Sequence, residues 1–200
     1  MSDSQNDPDA RYKLDSDPIY FGIILAGGQS TRMGADKAEL IRGGITMLEH
    51  SKALLQQVGI DKIRISRNVG DGIRDIFTNN GPLGGIHAAV NDLPDGAVVI
   101  IPVDMPLLQS ADLNQLIEVG AQSNRPVYFS DCYLPLYLPI NQEVKDYLHQ
   151  QLANDGNRRI KGLIEHFSGS EISPDSSTSL VNTNTPSEWQ QFQQHLNQHP

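Results

Sequence analysis

The residues of this chain with the clearest capacity for chemistry fall in one short run. Residues 25–37 read LAGGQSTRMGADK. Gly27 and Gly28 carry no side chains, so backbone N–H groups there can approach an anion closely. Arg32 and Lys37 bring positive charge to the same loop, and Leu25 and Ala26 lead into it. A phosphate cradle has this composition; so has a glycine-rich surface turn with two solvated basic residues. Two familiar phosphate loops are excluded. A P-loop needs G-x-x-x-x-G-K-[ST], but Gly34 is followed by Ala35 and Asp36, and Lys37 by Ala38. The spacing G-x-G-x-x-G of dinucleotide-binding loops is also absent.

Asp104 is the second candidate. It stands between Pro102 and Pro106, just after the apolar run Ala97–Ile101. Mg²⁺ is commonly held by one or two carboxylates plus phosphate oxygens and water, so a single fixed aspartate suffices; a plain Pro-bounded turn reads the same way. Gly81-Pro82-Leu83-Gly84-Gly85 precedes a predicted helix, so its free N–H groups can face a ligand while it also serves as an ordinary helix start. Asn182 and Asn184 alternate along an extended segment, which is equally a strand-to-helix connection. His87 and Cys132 read as packing residues, and Trp189 as the anchor of a last helix.

The elements that must position these groups follow from hydrophobic periodicity. Residues 19–25 and Ala97–Ile101 are continuous apolar runs bounded by turn residues, the pattern of strands buried on both faces of a parallel sheet. Thr46–Val58 reads as a helix: Thr46 and Glu49 form a capping-box pair, and Leu48, Leu54, Leu55 and Val58 share a face. Ile63–Ser66 reads as a strand, Gly84–Asn91 as a helix, and Ser110 as the cap of a helix bearing Leu113, Leu116 and Ile117. Two strands are expected at Pro126–Ser130 and Leu134–Leu138, and two helices around Val144–Leu152 and Ile160–Phe167. Ser168–Ser179 reads as a polar loop, Val181 as a short last strand, Pro186 as a helix start, and 190–200 as a fraying end. Strands alternating with helices predict an α/β domain with a mostly parallel sheet.

Composition narrows the class. Two hundred residues suffice for one domain, which buries roughly 70% of its unfolded surface. A net charge of −9 argues against a nucleic-acid or anionic-membrane surface, though not against a local positive pocket for one anionic ligand. The single cysteine excludes a disulfide framework or a zinc quartet and fits a reducing compartment. No apolar run approaches the ~20 residues needed to span a bilayer. Residues 1–18 hold five Asp and no apolar core, predicting a disordered acidic tail rather than a signal peptide, with the folded domain over 19–200 and a cytoplasmic setting.

LAGGQSTRMGADK resembles the signature of nucleotidyltransferases that attach a nucleotide to a phosphorylated acceptor, most closely the molybdenum cofactor guanylyltransferases, the MobA family. Gly81–Gly85, Pro102-Val-Asp-Met-Pro106 and Val181-Asn-Thr-Asn-Thr-Pro186 match in the same order. The resemblance spans Phe21 to Trp189 and implies a three-layer α/β/α domain of Rossmann-like nucleotidyltransferase architecture. It implies that GMP passes from GTP to the terminal phosphate of molybdopterin, with release of pyrophosphate. It places Leu25, Ala26, Gly27, Gly28, Lys37, Asp75, Gly81, Pro82 and Asp104 at the nucleotide, with Asp104 on Mg²⁺ and with Arg32, Lys37 and Asp104 as the catalytic set. Asn182, Asn184 and the Arg158–Arg159 pair fall at the acceptor. One departure stands out: Ser66, with Asn68 two residues on, replaces the asparagine that several relatives carry after the second strand.

The nucleophile in such a transfer is already an anion, so alignment and charge neutralisation matter more than a general base. Transient partners among cofactor-biosynthesis proteins are also implied. Cytidylyl transfer to the same pterin and a noncatalytic nucleotide sensor are the alternatives; retention of Arg32, Lys37 and Asp104 argues against the sensor.

Overall fold

The computed structural model describes residues 20–27, 36–130, 132–154, 156–176 and 179–198. The expected tail 1–18, and Gly28 and Arg32 of the glycine loop, lie outside the described residues.

Six strands form the main sheet. In chain order they are β1 (Tyr20–Leu25), β4 (Ile63–Ser66), β5 (Gly96–Pro102), β6 (Val127–Phe129), β7 (Cys132–Ile140) and β8 (Ser170–Ile172). Their spatial order is β4-β1-β5-β7-β6-β8. Parallel pairing joins β1 to both β4 and β5, and β6 to β8. Only β7 runs against the rest, because it returns from β6 through a tight connection and inserts beside β5. A two-stranded ribbon, β2 (Ile41–Arg42) with β3 (Ile45–Thr46), stands apart.

The apolar runs divide between two cores as a period of two requires. Val99 and Ile101 face one side with α1 (Met47–Gln57), α3 (Ser110–Ser123) and α6 (Pro186–Gln198). Val98 and Ile100 face the other with α2 (Gly81–Val90), α4 (Gln142–Ala153) and α5 (Ile160–His166). The three-layer α/β/α arrangement that the resemblance implies is therefore present.

Local signals account for the helix ends. Thr46 and Glu49 form the expected reciprocal capping box at α1. At α6, Thr185 and Glu188 exchange the same bonds, and the backbone N–H groups of Asn184, first, and of Thr185, both donated to the Glu188 carboxylate, hold it below its usual range. Trp189 and Phe192, with ring centroids 5.1 Å apart, seat that helix on the core, and it runs through Gln198.

Four sequence readings need correction. The cap of α3 is Gln109, paired with Asp112, and Ser110 is already helical. Helix α2 begins at Gly81 rather than Gly84, because Gly81 adopts φ +57° and Pro82 tolerates the first turn. Val181 is in no strand; the last strand is β8, inside the stretch read as a polar loop. There the parallel partner β6 supplies the pairing that composition cannot signal. The ribbon β2–β3 has no counterpart in the reading; its strands are two residues each, too short to show periodicity.

Candidate active site

The loops after β1 and β4 leave toward opposite faces, one leading to α1 and the other to α2. Open α/β sheets form a crevice where adjacent strands part in this way, at their carboxyl ends. A cleft of about 460 Å³ lies there. It brings together Leu25, Ala26, Gly27, Lys37, Asp75, Gly81, Pro82 and Asp104, eight of the residues picked from the sequence.

Each wall has a local cause. The Ala26 N–H donates to the Ser66 carbonyl (2.9 Å), so the chain leaving β1 stays laced to β4. The Val103 N–H donates to the Leu25 carbonyl (3.1 Å), which keeps the β5 exit beside the β1 exit. From the C-terminal segment, the Thr183 N–H and hydroxyl both donate to the Asp104 carbonyl, at 2.9 and 3.3 Å. The Asp104 carbonyl is thus pinned by Thr183 and its neighbour Val103 by Leu25, with the Asp104 carboxylate left for the cleft.

That carboxylate meets Lys37. The Lys37 ammonium donates to Asp104 Oδ2 (2.7 Å) and to Asn184 Oδ1 (2.8 Å). The two side chains of the ion pair are 16% and 20% exposed, so solvent screens them only in part. Lys37 opens a single 3₁₀ turn, Lys37–Glu39, capped by Asp36, whose Oδ1 accepts from the Ala38 N–H. Arg67 then binds the turn from outside: its Nη2 donates to Asp36 (2.6 Å) and Glu39 (2.9 Å). Those bonds push the Arg67 guanidinium above its ordinary pKa. Asp36 and Arg67 had no role in the sequence reading; they lie 31 residues apart, and no local pattern links them.

At the far end of the cleft, Asp75 and Asn68 are locked together. Asn68 Nδ2 donates to Asp75 Oδ2 (3.0 Å), and the Asp75 N–H donates back to Asn68 Oδ1 (2.9 Å). Ser66 is buried beneath them, against α2.

The acceptor residues separate. Asn184 reaches Lys37, but Asn182 lines a second groove of about 320 Å³ between the Pro106–Leu107 loop and α6. Arg158 and Arg159 sit before α5 and do not line the cleft. His87 is buried and packs with Phe77 and His149, in keeping with a structural role; burial and then the His149 charge lower its pKa. Burial pushes the Cys132 thiol up, and the nearby Asp104 charge adds to this, which makes it a poor nucleophile.

The donor set suits a hard divalent cation. Asp104 and Asn184 present oxygens to one positive centre, and such ions prefer carboxylate and carbonyl oxygens. Among the described residues no three His, Cys, Asp or Glu cluster as a metal site, so phosphate and water oxygens would complete the shell. Among the described residues no helix is long and apolar enough to cross a membrane.

Residues 22–168 match the family described as MobA-like NTP transferase domain. A molybdenum cofactor guanylyltransferase of Xanthomonas euvesicatoria is 35% identical over 85% of this chain and 92% of its own length. One from Photobacterium profundum is 31% identical over 87% and 95%. The solved molybdopterin-guanine dinucleotide biosynthesis protein A of Archaeoglobus fulgidus superposes with a TM-score of 0.71, at 19% identity, over 89% of this chain and 99% of that one, a likeness of fold. Such agreement, over most of this chain and nearly the full length of its relatives, settles the kinship: the chain belongs to the MobA-like NTP transferase family.

Proposed function

We propose that this enzyme transfers GMP from GTP to the terminal phosphate of molybdopterin, releasing pyrophosphate and forming the guanine dinucleotide cofactor. The observation that carries the reading is the meeting of Lys37, Asp104 and Asn184 at the mouth of a cleft walled by Gly27 and the start of α2. Relatives named for the same activity, at 31–35% identity, support the choice of substrates.

In this reading the triphosphate lies along Ala26, Gly27 and the loop holding Gly28 and Arg32, with the guanine toward Asp75. A carboxylate accepts hydrogen bonds from the N1–H and 2-amino groups of guanine, and Asn68 fixes the Asp75 carboxylate for that purpose. An oxygen of the acceptor phosphate attacks the α-phosphorus. A new P–O bond forms, the bond to the bridging oxygen breaks, and its electron pair leaves with pyrophosphate. Lys37 and Arg32 stabilise the charge moving onto that leaving group. Gly81 and Pro82 shape the wall opposite, and Asn184, through its bond to Lys37, stands on the acceptor side.

NTP transferase enzymes generally use a divalent metal; here we assign Mg²⁺, held by Asp104. When bound it neutralises phosphate charge and orients the α-phosphate. Molybdopterin would arrive from transient protein partners.

Pyrophosphate release in the presence of molybdopterin and each of GTP, CTP, ATP and UTP tests the proposal. Release with GTP alone, abolished in Asp104→Ala while much of the GTP affinity remains, is expected. Release with CTP alone would move the assignment to cytidylyl transfer, and normal turnover in Asp104→Ala would remove that residue from the mechanism.

A further inference from the structure

The Lys37 ammonium occupies the very oxygens that the metal reading requires. Asp104 Oδ2 and Asn184 Oδ1 are both engaged by Nζ, at 2.7 and 2.8 Å. A lysine ammonium has three N–H donors, and these contacts use two. A divalent cation shared by those two oxygens would lie close to the place Nζ now fills, and the two positive charges would repel, so cation and ammonium compete for it. Arg67 fixes the backbone of the Lys37 turn through Asp36 and Glu39, so the lysine must release by swinging its side chain rather than by moving the loop.

We propose that Lys37 is a resident stand-in for the divalent cation. In the nucleotide-free enzyme it satisfies Asp104 and Asn184; the triphosphate draws the ammonium onto its own oxygens and so vacates the metal position. This inference rests on the assignment of Lys37 and Asp104 above and adds an order to their use. Among the described residues lining the cleft, Lys37 is the one cation, against Asp36, Asp75 and Asp104. If the lysine left for the nucleotide with no metal to follow, Asp104 would stay partly buried and unpaired beside a polyphosphate, which is unfavourable. If the metal arrived first, it would have to displace a well-placed ion pair and then repel the released ammonium. Metal and nucleotide each bind weakly alone and strengthen one another, and that coupling is reciprocal. Premature metal occupancy is thereby disfavoured in the free enzyme.

The test follows Mn²⁺ binding by electron paramagnetic resonance in the full chain, with and without GTP, in wild type, Lys37→Met and Asp104→Asn. Removing the competing ammonium should tighten Mn²⁺ binding without GTP by about tenfold, corresponding to about 1.4 kcal/mol. It should also shrink the gain in Mn²⁺ affinity that GTP confers. Lys37→Met binding Mn²⁺ no tighter than wild type, while Asp104→Asn abolishes binding, overturns the stand-in role and leaves the site intact. Unchanged Mn²⁺ binding in Asp104→Asn overturns the site assignment itself.

A second measurement needs no variant: the acetylation rate of Lys37 in wild type, read by mass spectrometry. Saturating Mn²⁺ alone should raise the rate and added GTP should lower it again. An unchanged rate on Mn²⁺ saturation refutes displacement.

Discussion

Gly85 offers a sharp test of how closely the cleft is built. It lies in α2 where that helix presses on the end of β4. A Cβ at this position would stand 2.4 Å from Ser66 Oγ, 3.3 Å from Leu25 Cδ2 and 3.4 Å from Ser66 Cβ. The first distance is too short for real side chains, and Ser66 is only 3% exposed, so it has little room to yield. Gly85→Ala gains about 1 kcal/mol of helix propensity. Overpacking costs about 1–3 kcal/mol, which leaves a net loss of up to about 2 kcal/mol. For a chain of this size that lowers Tm by up to roughly 8 °C.

The decisive variant is the double one. Ser66→Ala removes the offending oxygen, leaving neighbours at 3.3 and 3.4 Å, tight but tolerable. Gly85→Ala in that background should then be neutral or stabilising. A coupling of about 1–2 kcal/mol is expected from urea unfolding of the four proteins. Additivity within about 0.5 kcal/mol would mean that α2 relaxes away from β4, and would refute the argument that α2 packs rigidly on Ser66 at this position.

Three further outcomes are expected. Arg67→Ala should change stability by under about 1 kcal/mol, since its partners are well exposed, yet lower kcat/KM about tenfold by loosening the Lys37 turn. Partial rescue by Arg67→Lys, measured by pyrophosphate release, is expected, and wild-type kinetics in Arg67→Ala would refute it. In Gly27→Ala the new methyl meets nothing among the described residues nearer than the Ser66 carbonyl at 3.6 Å, so Tm should hold while the stabilisation conferred by GTP shrinks; an undiminished GTP-induced shift would exclude close backbone approach there. Burial, then the Arg42 charge, lowers the His50 pKa to about 4 from 6.5. The unfolded chain therefore takes up a proton first, and stability falls as pH drops from about 6.5 toward 4, by at most about 1.4 kcal/mol per pH unit from this group. Unfolding midpoints between pH 7 and 4.5 should show that slope reduced in His50→Gln; an identical slope would assign it to other groups.

The alternation of strands and helices, the two-faced burial of β1 and β5, the capping box at Thr46, and the stretches that wall the cleft can all be read from the residues in order. These features are legible because periodicity, caps and glycine–proline turns act over a few residues. Which of them meet follows from the folded arrangement. Lys37 reaches Asp104 and Asn184 across 67 and 147 residues, because the strand order sets the β1, β5 and C-terminal exits side by side. The same ordering placed β8 in a stretch that reads as loop, since β6 supplies the pairing its own residues do not announce. It also parted Asn182 from Asn184: the bonds from Thr183 to Asp104 pin the residue between them, and one amide faces the cleft while the other lines the groove beside α6. Short-range chemistry named the components, and long-range packing of strands from distant parts of the chain assigned their neighbours.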